Sequence, residues 1–310
     1  MPIDEQRLLE MRRYDDAEAG VSERFLDDRV GAVDAFAILT EPLAERRSLG
    51  FVIAPSVGPE HGNLRRLETL VARRLAASGF PVLRIRPDLH PVHGAIGEID
   101  LGARIGEVDD AVSALGRETG AAGIGLIGAM FGGAVAALAA ERLASPSLAL
   151  IEPVTRGRQY IREVMRRQAV ADVIGAGEPE VAVDVSTTGP SALDQLEADG
   201  ETSIRGLRLT KGAFDHVSAV SLDDRLGSFA GRSLLVGISP TGAVSPRLRK
   251  LHERLQALGG DARLEVLEDA LVAPFGEYYY RNIGPVRVDT RLELDQALAA
   301  LLAAWAEEAA

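Results

Sequence analysis

The sequence predicts an α/β fold: a mostly parallel sheet flanked by helices, with one insertion. Short apolar segments bounded by turn residues predict strands, and segments with apolar residues every three or four positions predict the helices between them. Strands that are apolar throughout are typical of parallel sheets covered by helices on both faces. The segments predicted as strands are 32–42, 48–56, 80–88, 122–130, 147–154, 232–239 and 263–269.

Each predicted helix has an apolar face. In residues 64–78, Leu64, Leu67 and Leu75 recur at helical spacing, and Gly79 follows as a C-cap. The other predicted helices are 101–119, 131–145, 247–260 and 291–310.

The alternation of strands and helices breaks once, between residues 155 and 228. This stretch is acidic and rich in Gly, Ser and Thr. Because ligands bind at the carboxyl ends of parallel strands, an insertion after one strand would lie over the ligand and act as a lid. The predicted division is an N-terminal arm or exposed helix (1–24), a core (25–154 and 229–310) and a lid (155–228).

The composition excludes several classes of protein. The 310 residues include 34 Lys and Arg against 46 Asp and Glu, a net charge of −12, whereas nucleic-acid binding needs a basic face. The sequence has no cysteine, which excludes disulfides, thiolate metal sites and cysteine nucleophiles. The N-terminus lacks the apolar stretch of a secretory signal, and no run of about 18 apolar residues predicts a membrane span. The expected location is the cytoplasm.

Residues 124–140 have a strand–turn–helix pattern with glycines on both sides of the turn. The turn Gly128-Ala129-Met130-Phe131-Gly132 has the spacing of the G-x-S-x-G nucleophile elbow, in which small residues let strand and helix pack closely. The central position holds methionine instead of serine.

This motif and the order of the segments around it resemble the α/β-hydrolase superfamily, from about Val21 to Ala304. VIAPSVGPEHGNLRR stands where that superfamily carries its oxyanion-hole loop. The pattern P-x(4)-E-x(2)-N-x-R-R between Pro55 and Arg66, together with IEPVTRGRQYIRE and VAPFGEYY, resembles bacterial hydrolase-like proteins found with exosortase systems. That resemblance implies a setting in exopolysaccharide or surface-protein processing.

The superfamily's three catalytic positions do not hold their usual residues. Met130 replaces the nucleophile, and a thioether cannot be deprotonated. Thr241 stands where the resemblance places the acid, and no histidine follows His252 to serve as the general base. The sequence therefore predicts a degenerate member without a Ser-His-Asp triad.

Three other residues are candidates for chemistry in the same cleft. Glu152 can act as a base if burial raises its pKa, or it can pair with nearby arginines such as Arg156 to anchor the lid. His61, in a predicted loop, lies beside backbone N–H groups that can bind an oxyanion, or it is simply an exposed loop histidine. Ser56 is the best-placed hydroxyl for a displaced nucleophile, although a serine in a turn most often bonds to nearby backbone.

The predicted pocket contains Ser56, Met130, Phe131, Thr241 and Phe275. Met130 and Phe131 give it an apolar floor, or they fill a closed vestigial site. Phe275 belongs to an aromatic cluster that contacts a ligand or partner, or that packs the terminal segment. The sequence has no metal-ligand spacing and no nucleotide-binding glycine motif, so no cofactor is predicted.

Two functions fit this pattern. One is non-hydrolytic binding of a small acyl or lipid-like molecule, or a partner role in a biosynthetic pathway. The other is an enzyme with rewired acid/base chemistry (lyase, cyclase or acyl transfer) that uses Glu152 or His61. An esterase or thioesterase with a displaced serine, Ser56 or Ser239, is a third alternative. The predicted fold also allows a homodimer.

Overall fold

The computed structural model describes residues 12–26, 35–86, 99–175, 191–204, 207–269 and 288–308. The strands in chain order are β1 (Arg13–Asp16), β2 (Val21–Phe25), β3 (Phe36–Pro42), β4 (Leu49–Ala54), β5 (Val82–Arg86), β6 (Gly123–Ala129), β7 (Ser147–Ile151), β8 (Glu201–Ile204), β9 (Leu207–Thr210), β10 (Arg232–Ser239) and β11 (Ala262–Glu268). The helices are α1 (Gly58–Ala77), α2 (Leu101–Thr119), α3 (Met130–Leu143), α4 (Gly157–Gly175), α5 (Ala192–Asp199), α6 (Lys211–Ser218), α7 (Leu222–Arg225), α8 (Pro246–Ala257) and α9 (Val288–Glu307).

Within the described residues, nine strands form one sheet in the order β1-β2-β3-β5-β4-β6-β7-β10-β11. The pairs from β5 through to β11 are parallel, and the pairs that join β1, β2, β3 and β5 are antiparallel. The prediction of an α/β fold with a mostly parallel sheet is therefore confirmed.

Two apolar clusters cover the two faces of this sheet. On one face, α1 and α9 pack on strand residues such as Phe51 and Ile127, and Trp305 is fully buried there. On the other face, α2 and α3 pack on residues such as Val52 and Leu126. Successive residues of a strand point to opposite faces, so both faces of β4 and β6 are apolar, as the unbroken apolar runs predict.

The N-terminal segment differs from the expected arm or helix. Residues 13–25 form the antiparallel hairpin β1–β2, which pairs with β3 and extends the sheet. Val21 is fully buried there, and Glu23 accepts hydrogen bonds from Arg73 and Arg84. Glu23 thereby links the hairpin to α1 and β5.

The predicted insertion contains α4 to α7 and the small hairpin β8–β9. Its buried apolar residues, including Ile161, Leu196 and Leu222, belong to the same cluster as α2 and α3. The division into core and lid stays a prediction. None of the helices in the described part of the chain is long and apolar enough to cross a membrane.

Candidate functional site

The elbow after β6 has the tight geometry that its glycines predict. Met130 begins α3 with a φ of 51°. A Cβ on Gly128 would lie 2.3 Å from the carbonyl oxygen of Gly132, and a Cβ on Gly132 would lie 2.5 Å from that of Ala54. Only glycine allows this approach of strand and helix, so the turn is a nucleophile elbow in shape with methionine at its tip.

A cavity of about 520 Å³ opens next to the elbow, at the carboxyl ends of β6, β7 and β10. This is the edge of a parallel sheet where ligands bind. Its apolar lining includes Met130, Pro153, Val154, Val164, Ile238 and Leu248, and its polar lining includes Glu60, Glu152, Tyr160 and Arg247.

Glu152 is one of the carboxylates that line this cavity. It follows β7 with a φ of 43°, and its Oε1 accepts a hydrogen bond from the backbone N–H of Ile238 at 2.7 Å. Burial raises the pKa of Glu152, while the Ile238 N–H and the charge of Arg247 oppose that rise. The alternative pairing with Arg156 is not formed, because Arg156 pairs with Asp223 at 3.2 Å.

His61 and Ser56 are buried and do not line the cavity. The helix α1 begins at Gly58, with a proline in its first turn, so His61 belongs to that helix and not to a loop. His61 is 5% exposed and does not line the cavity. Ser56 is also buried and donates a hydrogen bond to Oε2 of Glu60 at 2.9 Å, and Glu60 lines the cavity.

The remaining predicted pocket residues lie apart from the opening. Phe131 is fully buried and stacks on Tyr160 with ring centroids 6.2 Å apart, so Tyr160 forms the wall and Phe131 supports it. Thr241 is exposed in the turn after β10, where its N–H donates to Oγ of Ser239 at 3.3 Å, and it does not line the cavity. Phe275 lies outside the described residues.

Beside its three glutamates, the cavity lining contains a cation that was not predicted from the sequence. Arg247 lies in the first turn of α8 and makes no hydrogen bond or ion pair with any described residue. The amino ends of α3 and α8 both face the cavity, and helix amino ends favour negative charge. The sequence feature that could have revealed this helix end is Ser245-Pro246, a helix start in the segment that follows the strand β10.

No group of three potential metal ligands occurs among the residues that the structure describes.

The strand order, the flanking helices and the elbow define the α/β-hydrolase fold. Solved structures with similar folds include three esterases. The esterase of Pyrobaculum calidifontis has a TM-score of 0.53 and 18% identity over 92% of this chain and 85% of its own. Est1E of Butyrivibrio proteoclasticus has a TM-score of 0.54 and 14% identity over 88% and 96%. The carboxylesterase EstE1, cloned from a metagenomic library, has a TM-score of 0.52 and 16% identity over 91% and 88%.

No protein-family model matches the sequence, and no curated protein sequence matches it. At these identities the structural similarity establishes the fold.

Proposed function

We propose that this protein binds a small acyl or lipid-like molecule in the cavity beside the elbow and does not hydrolyse it through a serine at the elbow. The observation that carries this proposal is Met130, which occupies the strained tip of the elbow and lines the cavity. A thioether has no proton to lose and cannot form an acyl-enzyme intermediate.

The lining supports a ligand with one apolar and one polar end. Met130, Val154 and Ile238 offer apolar contact, and a volume of about 520 Å³ is within the range of small-molecule sites. Arg247 and the amino ends of α3 and α8 favour a carbonyl or carboxylate oxygen. A compound with an apolar chain and a carbonyl or carboxylate group, that is, an acyl compound, matches both parts of this lining.

The first test combines a broad fluorophosphonate probe with a binding assay. We expect no serine of the folded protein to be labelled, and we expect saturable binding of a fluorescent medium-chain fatty acid. Val164→Trp, which fills the cavity from α4, should abolish that binding, and Leu43→Trp at an exposed position should not. Labelling of Ser56 or Ser239 would refute the proposal in favour of a displaced nucleophile.

Glu152 supports a second candidate function, an enzyme with rewired acid/base chemistry. Its carboxylate lines the cavity, and burial raises its pKa, the direction that favours a carboxyl group as a general acid or base. If a substrate is found, Glu152→Gln should remove turnover while ligand binding persists. Unchanged turnover in that variant would exclude Glu152 as the base.

The partner role in a biosynthetic pathway and the homodimer both stay predictions. The exosortase-type resemblance supports the first, and size-exclusion chromatography with light scattering tests the second.

A further inference from the structure

A second cavity of about 450 Å³ lies among α4, α5 and α6. It is lined by Arg158 and Arg162 of α4, whereas the first cavity is lined by Tyr160 and Glu163 of the same helix. With 3.6 residues per turn, these two pairs lie on different faces of α4. The second cavity is therefore separate from the site beside the elbow.

The second cavity brings together three cations, two of which form no ion pair with any described residue. Arg158 and Arg162 are one helical turn apart, so their charges repel each other. Both are exposed, and neither forms a hydrogen bond or ion pair with another described residue. Lys211 adds a third cation, although it pairs with Asp215.

Two further features of this cavity point to a ligand. The hydroxyl of Ser218 is buried and has no hydrogen-bond partner among the described residues, although buried hydroxyl groups are normally bonded. Leu193, Leu196 and Phe214 form an apolar wall. Glu197 also lines the cavity, and it is the one lining carboxylate in the described chain without an ion pair.

We propose that this cavity binds an anionic small molecule, a phosphate or carboxylate attached to an apolar group. The two guanidinium groups donate to the anion, since planar guanidinium groups match the oxygens of both anions. The apolar group packs on Leu193 and on the accessible part of Phe214, beside Lys211, whose ammonium lies 5.5 Å from the centre of the Phe214 ring. The anion neutralises the like charges of Arg158 and Arg162, with which no described residue forms an ion pair. This site does not depend on the proposed function of the first cavity.

The test is calorimetric titration with phenyl phosphate and with inorganic phosphate at low ionic strength. We expect phenyl phosphate to bind more tightly than inorganic phosphate, because only its ring contacts the apolar wall. Arg158→Gln with Arg162→Gln should weaken binding by about tenfold or more. Glu197→Gln should strengthen binding, because it removes a repelling charge.

Two control variants each replace one arginine that does not line the second cavity. Arg166→Gln lies on the same helix but outside the cavity, and Arg247→Gln lies in the first cavity. Both should leave phenyl phosphate binding within about twofold, because neither side chain lines the second cavity and Arg166 already pairs with Glu163 at 2.6 Å. Absence of saturable binding in the millimolar range, or equal binding by the Arg158/Arg162 double variant, would overturn the proposal. So would loss of binding in Arg247→Gln alone.

Discussion

Met130 and Glu152 follow neighbouring parallel strands, and both hold a positive φ, 51° and 43°. Left-handed backbone costs a residue with a side chain roughly 1–2 kcal/mol. Both residues line the same cavity, and the carbonyl of Met130 accepts a hydrogen bond from the N–H of Val154 at 3.0 Å. Strained residues concentrate at functional sites. Two strained residues beside one cavity therefore support a functional site there.

Met130→Ser places a hydroxyl at the tip of the elbow, but we expect it to create no esterase. A serine nucleophile needs a neighbouring base. His61 does not line the cavity, and none of the described lining residues is a histidine that could take the proton of the serine. Hydrolysis of p-nitrophenyl acetate should therefore match that of Met130→Ala. A clear gain in rate, with fluorophosphonate labelling at residue 130, would mean that the cavity contains a working base.

Gly132→Ala should destabilise the protein by about 1–3 kcal/mol, because its Cβ would press against the backbone. The nearest atoms are the carbonyl oxygen of Ala54 at 2.5 Å and the carbonyl carbon of Pro55 at 2.8 Å. Gly106→Ala is the matched control in α2, since a Cβ there meets nothing within 4 Å. It should stabilise the protein by about 0.5–1 kcal/mol. Urea unfolding measures both, and equal effects would contradict the tight elbow.

The fold follows from the sequence more completely than the site does. Unbroken apolar runs predict buried parallel strands, and the glycines around Met130 predict the elbow because backbone contact tolerates no side chain there. Local pattern does not reveal that Ser56 bonds to Glu60, or that Arg247 faces Glu152 across the cavity. These relationships depend on how β4, β7 and β10 are arranged in the sheet, which periodicity does not encode. The hairpin β1–β2 was missed for the same reason.

Glu152 should make stability depend on pH in a specific direction. Its pKa in the folded protein is raised above the ordinary value of 4.5, so the folded state binds more protons than the unfolded state. The free energy of unfolding therefore falls as pH rises from about 4.5 through the raised pKa. Glu152→Gln removes this contribution and keeps an oxygen that accepts from the Ile238 N–H.

Chemical unfolding of both proteins at a series of pH values tests this sign. The stability of Glu152→Gln relative to wild type should increase with pH. Burial also raises the pKa of Glu107, but that residue is common to both proteins and cancels in the difference. A difference that stays constant with pH would mean that Glu152 titrates as an ordinary exposed carboxylate.

Glu23→Gln should destabilise the protein strongly, because Glu23 is the acidic partner of a buried cation. Arg84 is 3% exposed and donates to Oε1 of Glu23 at 2.5 Å, while Arg73 donates to Oε2 at 2.9 Å. Removing one partner of a buried ion pair costs about 3–5 kcal/mol, and because the charge of Glu68 also acts on Arg84 we expect the lower end of that range. Glu201→Gln removes the partner of Arg208 in an exposed pair and should cost about 1 kcal/mol or less. Thermal unfolding compares the two variants. Similar losses would show that the Glu23 pair is solvated and that the hairpin β1–β2 is held to the sheet by its backbone pairing and apolar contacts alone.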